Sequence, residues 1–296
     1  MTSVENKNWT ILELIETSTN YLIQKNIDDA RLSVEIILSH TLNYPRIKLY
    51  SDFDKYISNS DLNNFRSKFT SLLKNEPLQY IVGETAFYGI KIKCDKRALI
   101  PRSETESIVE STIEFIKINY PANKEISILD IGTGTGCISI ALTSKLENVK
   151  IIAIDNDEDA IALAIENVKN NSFEDKIELQ KINFDEFVNN SSSKFDIIVC
   201  NPPYISLKDY NDLPAHIRQF EPRNALTDDS DGLLFYQKLL KHSSAKLKQN
   251  GALIIEHAFN QSEKIIEMFK NQNWDCESVI VDLSKNKRGA ILRPIE

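Results

Sequence analysis

The amino-acid sequence predicts an α/β fold, with a doubly wound, mostly parallel sheet and a small N-terminal helical domain. Between residues 126 and 293, short apolar runs alternate with segments of helical periodicity, the pattern of repeated strand-helix units. Residues 9–75 instead place apolar side chains at three- and four-residue intervals only. A glycine-rich turn follows the first apolar run, at a point where open α/β sheets hold ligands. Together these observations predict a Rossmann-like domain preceded by helices.

The pattern divides the chain into a helical domain over residues 1–75, a hairpin-like linker over 76–100 and an α/β domain over 101–296. In the helical domain, Asp28 or Asp29 is expected to cap a helix that begins at Ala30, and Ser60 to start another. In the linker, apolar residues alternate with lysines over residues 90–94, which predicts a half-buried strand pair.

In the α/β domain, Ser103 and Glu106 have the spacing of a capping box, which predicts a helix that runs to about Ile118. Apolar runs predict strands over residues 126–131, 150–155, 177–182, 195–201, 252–257, 276–282 and 289–293. Helices are expected to begin at Gly136, Asp231 and Gln261, and one further helix is expected to end at about Asn170.

Composition excludes several classes of protein. The 296 residues include no apolar stretch long enough to span a membrane, and the polar residues 1–8 do not resemble a secretory signal, so we expect a cytoplasmic protein. A net charge of −8 disfavours stable nucleic-acid binding. The four cysteines and four histidines lack metal-ligand spacing, so no metal site is expected.

The most informative motif is an Asn-Pro-Pro-Tyr tetrapeptide directly after the apolar run that ends at Cys200. Its members are Asn201, Pro202, Pro203 and Tyr204. The prolines stiffen an extended backbone and offer no N–H donors, so the Asn201 side-chain oxygen and the Pro202 carbonyl can both act as outward acceptors. Two fixed acceptors beside an aromatic ring suit a planar amino group.

The second motif is a glycine turn between a strand and a helix. It comprises Gly132, Thr133, Gly134, Thr135 and Gly136, preceded by Asp130. Alternate glycines let the backbone approach a ligand, and the helix N-terminus presents its N–H groups to it. The spacing is G-x-G-x-G, which differs from the dinucleotide fingerprint and disfavours a nicotinamide dehydrogenase.

An acidic residue follows at the distance expected for a ribose ligand. Asp155 ends the next strand, about twenty residues after the turn, where a carboxylate accepts hydrogen bonds from ribose hydroxyls. Downstream, Asn183 and Phe184 are placed to meet an adenine ring, by hydrogen bonding and by stacking, although Phe184 is also compatible with a core position. The motifs together indicate an adenosine-containing cofactor.

In combination, these motifs resemble the class I S-adenosylmethionine-dependent methyltransferases that act on planar nitrogens. The further segments 77–83, 87–89, 99–106 and 220–226, and the pair Glu256-His257, resemble the peptide chain release factor N5-glutamine methyltransferases, the PrmC/HemK family. The resemblance is strong from Pro77 to about His257 and weak over the first seventy residues. The chain departs from the family at residues 183–184, where Asp-Trp is common.

The resemblance implies a function, a cofactor and a partner. The donor is expected to be S-adenosyl-L-methionine, with S-adenosyl-L-homocysteine as product, and the substrate the glutamine of the Gly-Gly-Gln motif in class 1 peptide chain release factors. It also implies an antiparallel hairpin at the sheet edge and a monomer. Asp130 is expected either to orient the glycine turn or to contact the methionine end of the cofactor, and the resemblance favours the contact. Phe87 is expected either to wall the substrate channel or to lie in the core, and Arg102 to gate the site or to touch substrate. Tyr204 is expected to pack on the plane of the substrate amide.

Two other functions remain open from the sequence alone. One is N-methylation of adenine or guanine in nucleic acid, since such enzymes share the tetrapeptide; this would call for a basic groove. The other is a catalytically silent cofactor-binding module, which the intact tetrapeptide argues against.

Glutamine methylation needs no strong general base, because the proton can leave after methyl transfer. The helical domain is expected to dock the partner.

Overall fold

The computed structural model describes residues 8–295 and divides the chain into two units, with the boundary after Gly83. The polar residues 1–7, for which we expected no secretory signal, lie outside the described residues. Among the residues that the structure describes, no helix is long and apolar enough to cross a membrane.

The first unit is helical, as the spacing of its apolar residues predicted. Its helices are α1 (Ile11–Gln24), α2 (Ala30–Leu42), α3 (Arg46–Ser51), α4 (Asn59–Leu73) and α5 (Leu78–Val82). Fully buried aliphatic side chains such as Leu22, Val34 and Ile37 form its core. Burial of one apolar face per helix stabilises helices that would be marginal alone.

Two of the predicted helix caps in this unit differ from the structure. Ser58, not Ser60, caps α4, because its hydroxyl accepts a hydrogen bond from the Asp61 N–H. Asp29 precedes α2 but adopts a left-handed conformation and makes no side-chain cap hydrogen bond. The capping rule therefore located the helix starts and misjudged the side chains.

The second unit begins with the predicted hairpin. Strands β1 (Glu84–Phe87) and β2 (Ile90–Lys93) pair antiparallel across a turn at Tyr88 and Gly89. Asn167 fixes this hairpin to the α/β domain: its Oδ1 accepts from the Lys93 N–H at 2.7 Å, and its Nδ2 donates to the Thr135 carbonyl at 3.0 Å. The same buried amide thus joins the hairpin to the glycine turn.

The remaining elements alternate as predicted. They are α6 (Glu106–Asn119), β3 (Ile126–Ile131), α7 (Cys137–Lys145), β4 (Val149–Asp155), α8 (Glu158–Asn170), β5 (Ile177–Lys181), α9 (Phe184–Asn190), β6 (Phe195–Cys200), α10 (Leu207–Asp212), α11 (Ala215–Phe220), α12 (Leu234–Lys246), β7 (Leu247–Glu256), α13 (Ser262–Lys270), β8 (Trp274–Val281) and β9 (Lys287–Pro294). The short helices α9, α10 and α11 were not anticipated.

One sheet of seven strands, in the order β5-β4-β3-β6-β7-β9-β8, organises this unit. The first five strands of that order are parallel to one another, and β9 runs antiparallel to both β7 and β8. The doubly wound sheet and its antiparallel hairpin edge are thereby confirmed. Helices α6 and α7 contact the sheet and each other, while α9 contacts α12.

The expected capping box at Ser103 is wrong. Residues 103–105 form a 3₁₀ turn, α6 starts at Glu106, and Thr105 is its N-cap residue. The Glu106 carboxylate instead accepts a hydrogen bond from the Tyr88 N–H at 2.7 Å, so tertiary contact with the hairpin replaced the local cap.

A buried carboxylate joins the neighbouring strands β3, β6 and β7 near their amino-terminal ends. Asp196 is inaccessible to solvent and accepts hydrogen bonds from the Ser127 N–H and hydroxyl, from Lys124 and from Lys248. Burial acts to raise its pKa, but these donors outweigh burial and hold the pKa at about 2, below the ordinary value of 3.8. The charged form is therefore the one that stabilises the fold.

We predict that Asp196→Asn destabilises the protein by about 1–3 kcal/mol at pH 7, because charge-assisted hydrogen bonds are lost in a buried place. A group whose pKa is lowered by folding adds stability above its unfolded pKa and loses it as the pH falls from about 4 towards 2. Urea unfolding of both proteins at several pH values measures this. The two curves should converge on acidification; a constant difference would contradict the prediction.

Candidate functional site

One cavity of about 350 Å³ lies at the carboxyl ends of the parallel strands. That volume is in the range of small-molecule sites. Its walls come from the segment before α6, from the turns after β3, β4 and β6, from the start of α9 and from the loop before α12. The lining residues that carry the argument are Gly134, Asp155, Asn183, Asn201 and Pro202.

The glycine turn forms the floor of the cavity. All three glycines have positive φ values, 71° at Gly132, 56° at Gly134 and 80° at Gly136, a conformation that side chains other than glycine rarely adopt. A Cβ atom built on Gly134 would meet nothing within 4 Å, so the backbone there borders open space. Thr133 and Thr135 are buried and also line the cavity. The turn therefore exposes main chain to a ligand, as the spacing predicted.

Asp130 does not line the cavity; it lies beneath the turn and is fully buried. Its Oδ2 accepts hydrogen bonds from the Thr133 hydroxyl at 2.7 Å and the Ser139 hydroxyl at 2.6 Å. Burial raises its pKa to about 6 against these two donors. This position supports a role for Asp130 in orienting the glycine turn. It does not place the carboxylate in the cavity, where the resemblance implied a contact with the methionine end of the cofactor.

Asp155 lies at the cavity wall and holds the glycine turn at the same time. Its two carboxylate oxygens accept from the Gly134 N–H at 2.9 Å and the Asp157 N–H at 3.0 Å. Burial is the main cause that raises its pKa, and these hydrogen bonds oppose the shift. Each oxygen keeps further acceptor capacity for hydroxyl groups in the cavity.

Asn183 and Phe184 line the cavity beside this acid. Asn183 is the N-cap of α9, and its Oδ1 accepts from the Glu186 N–H at 2.9 Å. Its amide N–H groups are therefore the part that remains for a ligand. Phe184 is 4% exposed and packs edge-on against His242, so it belongs to the core and meets the cavity at its surface.

The Asn-Pro-Pro turn completes the site. Asn201 Nδ2 donates to the Thr105 hydroxyl at 3.3 Å. In the described part of the chain, neither the Asn201 Oδ1 nor the Pro202 carbonyl accepts a hydrogen bond from a protein group. Asn201, Pro202 and Pro203 all line the cavity, so two acceptors are left for a donor group in it.

Two aromatic residues assigned to the substrate site do not line this cavity. Phe87 is 1% exposed and belongs to the core, so the core interpretation holds and the channel-wall interpretation is wrong. Tyr204 packs against the main hydrophobic cluster, and its hydroxyl donates to Glu256 Oε1 at 3.4 Å. Tyr204 therefore lies against β7 and outside the cavity, and the structure does not place its ring where it would pack on a substrate amide there.

Arg102 lines the cavity but is engaged with Glu221. Its Nη2 donates to both carboxylate oxygens, at 2.6 and 2.7 Å, and the Glu221 side chain is buried. The pair joins the segment before α6 to the loop after α11. This supports a structural or gating part for Arg102 rather than direct substrate contact.

Sequence reasoning missed several residues at the site. Thr105, Glu221 and Asn224 line the cavity or support those that do; Asn224 donates to the Asp157 carboxylate at 3.0 Å. All three lie in segments that carried the family resemblance. No spacing rule distinguishes them, because their partners are about 65 to 120 positions away in sequence.

The fold and this site define a methyltransferase. A family model described as a methyltransferase domain matches residues 122–293, and a model described as the PrmC N-terminal domain matches residues 13–83. The chain belongs to the release factor glutamine methyltransferase family. The proteins of that name from Fusobacterium nucleatum, Chlorobaculum tepidum and Geobacter sulfurreducens are 35%, 32% and 35% identical to it; the alignments cover 95%, 96% and 90% of this chain and 78%, 97% and 91% of theirs.

We predict that Asp155→Ala weakens binding of S-adenosylhomocysteine by about 1–3 kcal/mol, since ribose hydroxyls lose their half-buried acceptor and the glycine turn loses its tether. Asp159→Ala is the matched control, because Asp159 is an exposed acid at the start of α8, four residues after Asp155 and outside the cavity. Isothermal titration calorimetry measures both. Equal affinities for the two variants would remove Asp155 from the binding site.

Proposed function

We propose that the protein transfers a methyl group from S-adenosyl-L-methionine to the side-chain amide nitrogen, N5, of the glutamine in the Gly-Gly-Gln motif of class 1 peptide chain release factors. Family membership supports the substrate class. The observation that carries the chemistry is the pair of acceptors, Asn201 Oδ1 and the Pro202 carbonyl, that no described protein group occupies. A primary carboxamide has two N–H donors that such a pair can receive.

The cavity residues fit the proposed methyl donor. The Asp155 carboxylate suits the ribose hydroxyls, Asn183 and Phe184 the adenine, and the open space over Gly134 the close approach of backbone to ligand. When bound there, the donor supplies an electrophilic methyl group on a positively charged sulfur. Burial raises the pKa of Asp155, and a cationic ligand in the cavity would oppose that shift and favour the ionised carboxylate.

The residues would act mainly by positioning. An amide nitrogen is a weak nucleophile because its lone pair is delocalised into the carbonyl group. If Asn201 and Pro202 hold both N–H bonds, the amide plane is fixed and the acceptors stabilise the positive charge that develops on nitrogen. Alignment is then the main contribution of these residues, and the reaction requires no strong base.

The supporting groups fit this division of roles. Burial raises the pKa of Tyr204 well above its usual range, so its phenol stays protonated and serves as a hydrogen-bond donor to Glu256. It is not suited to remove the amide proton. The proton can leave to solvent after methyl transfer, when the nitrogen is far more acidic.

We expect Asn201→Ala to lower kcat on the release factor by about 100- to 1,000-fold, because one positioned electrostatic partner of the reacting amide is lost. Melting temperature and affinity for S-adenosylhomocysteine should stay near those of the native protein. Mass spectrometry of the Gly-Gly-Gln peptide measures methylation. Near-normal turnover, or a loss of stability that parallels the loss of activity, would contradict this mechanism.

The first unit is proposed to dock the release factor, since every residue lining the cavity falls between Arg97 and Lys238. A chain that begins at Glu84 should bind S-adenosylhomocysteine with near-native affinity, yet lose about tenfold or more in kcat/KM on intact release factor, since remote binding energy is removed. Circular dichroism establishes that the shortened chain is folded. Full activity of this chain on the intact partner would exclude the docking role.

A radiolabelling experiment distinguishes release factor from nucleic acid as the methyl acceptor. Radiolabelled S-adenosylmethionine is incubated with the full chain and either release factor, duplex DNA or RNA. Label in the release factor alone is the expected result. Label in DNA or RNA alone would replace the proposed substrate with a nucleobase.

A further inference from the structure

A buried carboxylate lies directly behind the Asn-Pro-Pro-Tyr turn. Glu256 ends β7, the strand next to β6, and is 1% exposed. Its Oε1 accepts from the Tyr204 hydroxyl, and its Oε2 has no hydrogen-bond partner among the described residues. A buried carboxylate oxygen without a partner is costly, so it calls for an explanation.

Thr105 is the neighbour that can supply the missing donor. It is 2% exposed, and its hydroxyl accepts a hydrogen bond from Asn201 Nδ2 while donating none to the described protein groups. Burial raises the pKa of Glu256 to about 7, and the Thr105 hydroxyl is the strongest group that opposes this shift. Thr105 therefore lies near enough to lower the pKa of the Glu256 carboxyl group, although no hydrogen bond of ordinary geometry joins Glu256 Oε2 to a described residue.

The direction of that hydrogen bond determines which way the Asn201 amide faces. A hydroxyl has one proton and two acceptor lone pairs. If Thr105 gives its proton to Glu256, its oxygen can only accept, so Asn201 must turn Nδ2 towards Thr105 and keep Oδ1 for the substrate. If Thr105 were free to donate to Asn201 Oδ1, the amide could flip and present its NH2 group to the substrate NH2, which pairs donor with donor.

We propose that Glu256 is a positioning residue that, through the Thr105 hydroxyl, fixes the amide of Asn201 with its oxygen towards the substrate. The Tyr204 hydroxyl holds the other oxygen of the same carboxyl group, so the aromatic residue of the motif serves this chain of hydrogen bonds. This assignment rests on the proposed function of Asn201. It adds Glu256 and Thr105 to the residues on which alignment of the substrate amide depends.

Three variants test the chain of hydrogen bonds. Thr105→Val removes the hydroxyl with little change in shape, Thr105→Ser keeps it, and Glu256→Met removes both acceptors with a side chain of similar size. Thr105→Val and Glu256→Met should each lower kcat about 10- to 100-fold, the effect of losing one aligned hydrogen bond. KM for release factor and affinity for S-adenosylhomocysteine should change less than about threefold, since binding contacts remain.

Rescue and coupling distinguish positioning from a structural role. Thr105→Ser should recover kcat to within about threefold of native. The double variant should be no slower than the slower single variant, because both changes break the same chain. Thr112→Val is the matched control, since Thr112 is a buried threonine of α6 whose hydroxyl bonds the Ile108 carbonyl; its kcat should be unchanged.

A second readout does not depend on turnover. In protein labelled with ¹⁵N-asparagine, the Asn201 side-chain NH2 signals are identified by their absence in Asn201→Ala. They should shift in both Thr105→Val and Glu256→Met and stay at native positions in Thr112→Val. A native enzyme that does not methylate release factor would overturn the proposed function alone, and the NH2 signals would still decide the orientation. Unchanged NH2 signals in Glu256→Met, native kcat in either single variant, or losses that multiply in the double variant would overturn the inference.

Discussion

Parallel pairing of β6 with its neighbours is the constraint on which the site depends. Because β3 and β7 flank β6 in parallel, the turns that follow all three strands emerge at one edge of the sheet. The glycine turn, the Asn-Pro-Pro-Tyr turn and Glu256 meet there from positions about 55 to 120 residues apart. β6 is buried along its whole length, so a shift in its register would expose apolar side chains and displace Asn201.

Acidic groups are concentrated at the carboxyl ends of the parallel strands, near the cavity, where little solvent reaches them. Asp130, Asp155 and Glu256 all have raised pKa values, with burial as the leading cause. Such groups cost folding free energy unless hydrogen bonds or a cation compensate. Asp130 and Asp155 are compensated in part by the glycine turn that they hold. At the other end of the strands, Asp196 is fully paired and has a lowered pKa, which separates a structural end of the sheet from a functional one.

The expectations that succeeded rest on local chemistry. Alternation of apolar runs located the sheet strands, and β3 has the predicted limits, because a parallel strand that is covered on both faces is rich in apolar residues. Expectations failed where a tertiary partner competed with a local rule. Glu106 bonds the hairpin backbone instead of capping its helix, and the helices α9 to α11 are too short for their periodicity to be recognised.

The sequence by itself determined the fold class, the glycine turn, the acidic residue at the end of β4 and the Asn-Pro-Pro-Tyr tetrapeptide, since each is encoded in contiguous residues with a fixed conformational preference. Only the tertiary structure decided that Phe87 is core, that Arg102 binds Glu221 and that Tyr204 faces Glu256 and not the cavity. It also brought the Thr105 hydroxyl within hydrogen-bond distance of the Asn201 amide. These outcomes depend on partners about 50 to 120 residues away, and the direction of a side chain towards such a partner follows from packing, which no local pattern records.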